Sequence, residues 1–267
     1  MFDLSGNLAT VVGGLGQIGI NSVEALLEFN SEVIILDKTN ISESEQALNL
    51  QKKYRNRLHF IQMDITDESS IMDSFQEIQN HHSNIDVLVN HAHFKGDPKK
   101  LVPHSDFFAS VENYPFEIWK ETIDVNLNGL FLVTKEAGKI MINNRKGNII
   151  NTASTYGLVS PNKNIYGTSG INSPVSYAVT KAAIINFTKY IATHWAEHNI
   201  RANCLSPGGV GNPNQSKEFV QNYNKLTPLQ RMALPTDYQG AVVFLASEAS
   251  SYMTGSNLII DGGWTAW

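Results

Sequence analysis

The sequence predicts one α/β domain, built on a parallel sheet that carries helices on both faces. Short β-branched runs alternate with longer stretches in which apolar residues recur about every 3.6 positions. The short runs are almost continuously apolar, as in strands that are covered on both faces. Because no repeat, low-complexity tract or Pro/Ser-rich linker divides the 267 residues, we expect a single domain over residues 1–267.

Seven runs are candidate strands, and five longer segments are candidate helices. The predicted strands cover residues 8–12, 33–36, 58–63, 86–90, 148–152, 200–205 and 257–261. The predicted helices cover residues 18–29, 69–78, 117–142, 175–197 and 236–246. Two long segments, 91–115 and 155–174, interrupt this alternation, and such loops are either binding loops or plain surface insertions. We expect a further segment, 211–228, to form a substrate loop.

Composition excludes several classes of protein. With 20 Lys and Arg against 25 Asp and Glu, the net charge is −5, which lacks the basic footprint that nucleic acid or anionic lipid requires. The only cysteine, Cys204, cannot form an internal disulfide. No apolar run approaches the roughly 18 residues of a membrane span, and the N-terminus does not resemble a signal peptide. We therefore expect a cytoplasmic protein with no nucleic-acid or membrane partner.

A glycine-rich turn, GGLGQIG, begins at Gly13 and follows the first predicted strand. Its glycines fit G-x-G-x-x-G from Gly14 and G-x-x-G-x-x-G from Gly13, and both spacings let the backbone approach a pyrophosphate at a helix N-terminus. Asp37 stands at the end of the second predicted strand, directly after residue 36 and 18 residues after Gly19. A carboxylate there can bind both adenosine ribose hydroxyls and repel a 2′-phosphate. The pattern favours NAD over NADP, although the adjacent Lys38 softens the repulsion.

A tyrosine and a lysine stand four positions apart in the fourth predicted helix. Tyr177 and Lys181 therefore share one helix face, and Ser154 follows the end of the fifth predicted strand. A carbonyl that becomes an alkoxide, or the reverse, needs a proton donor or acceptor and an oxyanion partner. A neighbouring cation lowers the pKa of a tyrosine from its usual value near 10. The three side chains beside a nicotinamide predict a hydride-transfer site.

These motifs resemble those of the short-chain dehydrogenase/reductase family, of the classical type, over essentially the whole chain. The matching segments are, in order, VVGGLGQIG, MDIT, VNHAH, VNLNG, NTAS, YAVTK, RANCLSPGGV and IDGGW. The resemblance implies a Rossmann-type, doubly wound parallel sheet of seven strands in the order 3-2-1-4-5-6-7. It also implies an NAD(P)-dependent enzyme that acts on CH–OH groups and assembles as a homotetramer.

The resemblance also implies a role for individual residues. Tyr177 would be the general acid/base, Lys181 would lower its pKa and hold the nicotinamide ribose, and Ser154 would stabilise the oxyanion. Asn126 would anchor a proton-relaying water, although alone it is also a typical polar residue of a helix interior, as Asn90 is a typical turn former. No metal site is implied. The implied cofactor-binding residues are Gly13, Gly16, Gln17, Ile18, Gly19, Asp37, Lys38, Asp64, Ile65, Asn90, Ala92, Tyr177, Lys181, Pro207, Gly208 and Val210.

Several positions depart from the family pattern. His91 and His93 replace the usual Asn and Gly, so these imidazoles either border the cofactor or substrate, or are loop residues without chemistry. Val12 replaces the usual threonine before the first glycine, and Gly211 follows PGGV where a threonine is usual. The segment between Ser154 and the catalytic tyrosine is longer than usual. It must fold back over the site or stand away from it.

The leading functional hypothesis is an NAD-dependent oxidoreductase that interconverts a secondary alcohol and a ketone on a polar, sugar-like substrate. Polar side chains of residues 162–173 and a similarity to members of sugar or surface-glycan metabolism favour such a substrate. One alternative is a nucleotide-sugar epimerase or dehydratase with tightly bound NAD, which the glycine spacing favours and the chain length disfavours. Another is a non-catalytic NAD-binding regulator, which would not need Ser154, Tyr177 and Lys181 together.

The resemblance places one dimer interface on the helices predicted over 117–142 and 175–197 and another on the last helix and strand. The sequence gives this homotetramer partial support. The helix predicted over 175–197 is apolar over more of its surface than one sheet-facing stripe needs. Trp264 and Trp267, near the C-terminus, are of a type enriched in interface cores. The alternative is that both tryptophans fold back onto their own subunit.

Overall fold

The computed structural model describes residues 1–94, 96 and 101–267, and its centre is one parallel sheet. The strands are β1 (Leu8–Val12), β2 (Glu32–Asp37), β3 (Leu58–Gln62), β4 (Val87–Asn90), β5 (Gly147–Thr152), β6 (Ile200–Pro207) and β7 (Asn257–Ile260). Their order in the sheet is β3-β2-β1-β4-β5-β6-β7, and neighbouring strands are parallel throughout. The Rossmann-type fold and its strand order are therefore confirmed. From β1 the strand order proceeds to one edge through β2 and β3 and to the other edge from β4 onward, and such sheets form a crevice at this switch point between β1 and β4.

Helices cover both faces of the sheet. They are α1 (Gly19–Glu28), α2 (Glu45–Lys53), α3 (Glu68–His81), α4 (Phe116–Ile123), α5 (Leu130–Asn144), α6 (Val175–His194), α7 (Lys217–Lys225) and α8 (Gln239–Ala246). The helix predicted over 117–142 is interrupted, because a π-helical segment, Asp124–Gly129, joins α4 to α5. The prediction missed α2 and α7, which are polar overall and bury few side chains, so they lack the apolar content by which the other helices were identified. Among the described residues, no helix is long and apolar enough to cross a membrane.

The core consists of two apolar layers, one on each face of the sheet. Strand β1 shows why its sequence is continuously apolar, since alternate side chains enter different layers. Ala9 and Val11 pack in the layer of α1 and α8, whereas Leu8 and Val12 pack in the layer of α3, α5 and α6. Burial on both faces fixes the strands, and their carboxyl ends are left to form the site.

The segments predicted as insertions meet one another at the carboxyl end of the sheet. His104 N donates a hydrogen bond to Gly170 O at 2.9 Å, which joins segment 91–115 to segment 155–174. Asn222, in α7 of the third segment, lies with Nδ2 3.4 Å from Ile165 O. Residues 95 and 97–100 of the first segment lie outside the described residues.

The two C-terminal tryptophans have different environments. Trp264 is buried within its own chain, with its ring stacked on Tyr223 at a centroid distance of 4.3 Å. Trp267 is 77% exposed, and its Nε1 lies 3.3 Å from Leu226 O. An interface was expected around Trp264 because an exposed indole is costly. Since the ring is already buried within its own subunit, Trp264 gives no such argument for an interface.

Candidate active site

A cleft of about 900 Å³ opens at the carboxyl ends of β1, β2 and β4. It lies at the switch in strand order between β1 and β4, as in other doubly wound folds. Many of the residues that the sequence predicts to bind a dinucleotide line it. They are Gly13, Gly16, Gln17, Ile18, Gly19, Asp37, Lys38, Asp64, Ile65, Ala92 and Val210.

The glycine turn is packed so closely that two of its glycines admit no side chain. Gly13 has φ +72°, and a Cβ there would lie 2.6 Å from Ala92 N. A Cβ on Gly19 would overlap the Gly13 carbonyl oxygen, whereas one on Gly16 would lie 3.2 Å from the same atom. No side chain caps α1 at Ile18, and its first turn holds no acid, so the positive end of the helix dipole is uncompensated. This cradle fits a pyrophosphate.

Asp37 is held in place at the end of β2. Its Oδ2 accepts a hydrogen bond from Leu15 N at 3.0 Å, and its Oδ1 accepts one from Thr39 N at 3.0 Å. The carboxylate is therefore fixed against the glycine turn, and its side chain is half-buried at the cleft wall. A carboxylate retains further lone pairs after two such bonds, so this placement fits a ribose diol.

The three predicted catalytic side chains meet at one end of the cleft. Lys181 is buried, and its Nζ donates to Thr152 O at 2.8 Å. The same Nζ lies 5.6 Å from the centroid of the Tyr177 ring, one helical turn away on α6. Ser154 Oγ accepts from Tyr156 N at 3.1 Å, which leaves the hydroxyl hydrogen to point elsewhere. Because Thr152 lines the cleft, this group lies at its end.

Burial decides the pKa of Tyr177. Desolvation raises the pKa of its hydroxyl to about 12, and a hydrogen bond from Ser154 opposes that rise. The sequence led us to expect a pKa lowered by Lys181. In the structure the pKa of Tyr177 is raised instead, because burial of the hydroxyl outweighs the hydrogen bond from Ser154.

Asn126 lies in the π-helical segment, a geometry that often marks functional sites. Its Oδ1 accepts from Phe94 N at 2.6 Å, and its Nδ2 donates to Thr180 Oγ1 at 3.1 Å. Thr180 Oγ1 in turn donates to Tyr177 O at 2.9 Å. Both polar atoms of the amide therefore bond protein groups, and the residue ties the loop after β4 to the turn of α6 that carries the tyrosine.

Five predicted cofactor residues are not on the wall of the cleft: Tyr177 and Lys181 lie at its end, and Asn90, Pro207 and Gly208 lie beside it. Asn90 is buried, with Nδ2 donating to Asn151 Oδ1 at 2.8 Å and Oδ1 without a hydrogen-bond partner in the described structure. Pro207 is buried at the end of β6, and Gly208 N donates to Ile260 O at 2.8 Å. Among the described residues, no group of His, Cys, Asp and Glu could hold a metal ion.

The two unusual histidines lie on the cleft wall between the cofactor cradle and the catalytic group. His93 directs Nδ1 to His91 O at 2.9 Å, and because a carbonyl only accepts, Nδ1 carries the proton. The His93 ring meets the Tyr177 ring edge-on, with centroids 6.2 Å apart. His91 is buried and bonds two hydroxyl groups.

The long segment after Ser154 folds back over the catalytic group. Tyr166, in this segment, is near enough to Tyr177 for its ionised form to raise the pKa of Tyr177, while burial raises the pKa of Tyr166 itself. Aromatic rings from three parts of the chain pack on one another beside this end of the cleft. We call this cluster the aromatic wall, and no motif spacing pointed to it. Its rings are those of Tyr156, Tyr166, Phe219, Tyr223 and Trp264. By contrast, four of the polar residues expected at the mouth are exposed to solvent, namely Asn162, Lys163, Asn164 and Thr168.

Known proteins with the same architecture match nearly the whole chain. The family model described as enoyl-(acyl carrier protein) reductase matches residues 15–265. The chain belongs to the short-chain dehydrogenase/reductase family. It is of the classical type, and it is an oxidoreductase of the kind that acts on CH–OH groups.

Relatives within this family differ in their substrates. A 3-oxoacyl-[acyl-carrier-protein] reductase from Aquifex aeolicus is 33% identical over 263 residues, which cover 97% of this chain and 98% of that protein. A galactitol 2-dehydrogenase from Rhizobium johnstonii is 31% identical over 277 residues, covering 100% and 98%. A crystal structure of a short-chain dehydrogenase from Leptospira borgpetersenii with bound NAD⁺ is 39% identical, with a TM-score of 0.85 and coverage of 98% and 94%.

Proposed function

We propose that the protein is an NAD-dependent oxidoreductase that interconverts a secondary alcohol and a ketone on a polar, sugar-like substrate. The observation that carries this proposal is the meeting of Ser154, Tyr177 and Lys181 at one end of a cleft whose other end is the glycine turn. The separation of a phosphate cradle from a proton-transfer group within one cleft suits a dinucleotide that presents its reactive ring to the substrate.

Each catalytic side chain has a role that follows from its contacts. Tyr177 would take the alcohol proton, or return it to the ketone, at its phenolic oxygen. Ser154 can donate to the developing oxyanion, because its oxygen already accepts from Tyr156 N. Lys181, held by the Thr152 carbonyl, would place a positive charge beside the phenolate. A bound oxidised nicotinamide would accept the hydride, and its positive charge would favour the tyrosinate.

The charge of the adenosine end supports NAD rather than NADP. Besides Asp37, the described cleft wall includes the acids Glu43, Asp64, Glu117, Glu121 and Asp124 and the bases Lys38 and Lys120. A 2′-phosphate would bring about two further negative charges into this acidic surrounding. The NAD⁺ in the related Leptospira structure supports the same choice.

The aromatic wall supports a hydroxylated substrate. Tyrosine rings present a flat apolar surface and a polar hydroxyl together, which suits the alternating C–H and O–H groups of a polyol. The related galactitol 2-dehydrogenase adds weight to this class of substrate.

A substrate panel would test the proposed reaction. Polyols, sugars and nucleotide sugars would be compared with a 3-oxoacyl thioester and hydrophobic ketones, each with NAD(H) and NADP(H), by NADH or NADPH absorbance. We expect turnover of at least one polyol or sugar with higher kcat/KM for NAD. Conversion of a nucleotide sugar without net NADH would instead indicate an epimerase or dehydratase. NADH binding without any turnover would indicate a regulator.

We further propose that the enzyme is a cytoplasmic homotetramer. Large apolar side chains are exposed on the helices that the family resemblance assigns to an interface, namely Phe116 on α4, Phe131 on α5, and Val179 and Tyr190 on α6. Light scattering at micromolar concentration should give about four times the 29.6 kDa of one chain. A mass of one chain would reject the tetramer, and cell fractionation would test the location.

A further inference from the structure

His91 joins the end of β5, the strand that precedes Ser154, to α1, the helix that begins at the glycine turn. The residue follows β4 directly and is 5% exposed. Its Nδ1 lies 2.8 Å from Thr152 Oγ1, at the end of β5, and its Nε2 lies 2.9 Å from Ser22 Oγ, in the first turn of α1. The imidazole is therefore a bridge between the two elements that form the two ends of the site.

The positions of the protons in this bridge follow from its partners. Ser22 Oγ donates its single hydrogen to Ile18 O at 3.0 Å, so it must accept from His91 Nε2. The ring then accepts from the Thr152 hydroxyl at Nδ1. Burial lowers the pKa of His91 to about 3, and the charge of Lys181 contributes in the same direction, so the ring is neutral. One donor and one acceptor are required, and neutral histidine supplies both.

Each end of the bridge is attached to a group with a proposed function. Thr152 O accepts the hydrogen bond from Lys181 Nζ at 2.8 Å. Ile18 precedes α1 and lines the cofactor cradle. A rigid chain of hydrogen bonds thus runs from the residue that anchors the catalytic lysine to the turn where a pyrophosphate would bind.

We propose that His91 is a positioning residue that couples the placement of Lys181 to dinucleotide binding at the glycine turn. The proposal rests on the proposed function, since it takes the cleft to hold NAD and Lys181 to assist Tyr177. His91 itself does not transfer a proton in the reaction. It fixes the separation between the β5 end and α1.

NADH binding tests the bridge without any knowledge of the substrate. His91→Leu should weaken NADH binding about five- to tenfold, because the buried hydroxyls of Thr152 and Ser22 both lose a hydrogen-bond partner and the glycine turn loses its link to β5. Ser22→Ala should weaken it less. The double variant should bind no more weakly than His91→Leu alone, since both substitutions remove the same link. Fluorescence titration with NADH would measure all three dissociation constants.

Ser74→Ala is a matched control for Ser22→Ala. Ser74 is also buried in a helix and donates to the carbonyl four residues earlier, Ser70 O, at 2.7 Å, but no histidine in the described structure bonds it. This variant should leave the NADH dissociation constant unchanged even where it lowers the melting temperature. Additive effects of the His91 and Ser22 substitutions, or a His91→Leu protein that binds NADH within twofold of the wild type, would overturn the proposal.

His91→Asn separates the two ends of the bridge and serves where His91→Leu does not fold. An asparagine keeps an acceptor near the Nδ1 position and loses the donor that reaches Ser22. With a substrate from the panel, His91→Asn should retain most of kcat and its pH profile, but with weakened NADH binding. Thr152→Val keeps the carbonyl that holds Lys181 but removes the hydroxyl bond to His91, so the carbonyl is less firmly placed and the acid limb of the kcat profile should move to higher pH. An unchanged profile would contradict the link to Lys181. If no substrate were turned over, the proposed function would be rejected. The NADH titrations would still show whether the His91 bridge affects dinucleotide binding.

Discussion

The two ends of the cleft are built from different kinds of contact. At the cofactor end, most of the contacts are made by backbone groups. The glycine turn packs on Ala92, and Leu15 N and Thr39 N donate hydrogen bonds to the Asp37 carboxylate. At the substrate end, side chains from distant parts of the chain pack on one another. Tyr166 stacks on Phe219 with centroids 5.4 Å apart, and Tyr223 stacks on Trp264.

Under the proposed function, this difference separates the residues that would bind the cofactor from those that would select the substrate. One added Cβ at Gly13 or Gly19 would clash with backbone atoms of the cradle, so few substitutions are tolerated there. A wall of aromatic side chains can be repacked one residue at a time, at a cost in stability. We therefore expect substitutions at the substrate end to change stability and KM together. Those at the cofactor end should act on NAD binding.

The largest effect is expected at the substrate end, for Trp264→Ala. Loss of a buried indole stacked on Tyr223 should lower the free energy of unfolding by about 3–5 kcal/mol and raise KM for substrate. The exposed Trp267 is the matched control, and Trp267→Ala should cost less than about 0.5 kcal/mol. Urea denaturation would measure both. Equal losses for the two variants would contradict the aromatic wall.

At the cofactor end, Gly19→Ala should have the next largest effect. Its Cβ would overlap the Gly13 carbonyl oxygen, so we expect a loss of about 1–3 kcal/mol in stability and NAD binding weakened at least about tenfold. Gly240→Ala, in α8, meets nothing within 4 Å and should stabilise by up to about 1 kcal/mol. Denaturation and NADH titration would compare them. Normal NADH binding by Gly19→Ala would refute the cradle.

Asp37→Ala tests whether one side chain sets the cofactor preference. The variant should bind NAD about tenfold more weakly and show a smaller preference over NADP, because two ribose hydrogen bonds and one repelling charge disappear. Asp73→Ala, exposed on α3, changes the net charge equally and should leave both affinities as they are. A preference of the unmodified enzyme for NADP, measured by kcat/KM, would be incompatible with this role of Asp37.

The smallest effect concerns stability in acid. Folded His91 has a pKa of about 3 against an ordinary value of 6.5, so below pH 6.5 the unfolded chain binds a proton that the folded protein does not. Stability is therefore lost as the pH falls from 6.5 toward 3. The melting temperature should fall less in His91→Asn than in the wild type between pH 7 and about pH 4.5. His194→Asn, an exposed position on α6, should behave as the wild type does.

The sequence predicts the cofactor end better than the substrate end for a physical reason. Gly13, Gly19 and Asp37 act through local turns and strand ends, so their spacing along the chain carries the information. The seven strands were also predictable, because burial on both faces makes each one a continuous apolar run. The interruption of the helix after α4 was not, since a π-helical turn changes hydrogen bonding without changing the apolar pattern.

The aromatic wall and the His91 bridge could not have been predicted in the same way. Tyr166, Phe219 and Trp264 meet only after the sheet has brought their segments together, and no periodic pattern links them. His91 was identified as unusual, but its partners Ser22 and Thr152 lie 69 and 61 residues away in the chain. Contacts of this kind depend on tertiary packing rather than on spacing.

Turnover by Tyr177→Phe, with NADH binding measured on the same sample, tests the central claim most directly. Removal of the phenolic hydroxyl should lower kcat at least about a hundredfold, because the phenolic oxygen is the proposed site of proton transfer, while NADH still binds. Tyr190→Phe, exposed on the same helix, should retain the activity of the wild type. Near-wild-type turnover by Tyr177→Phe would contradict the assignment of this end of the cleft as the hydride-transfer site.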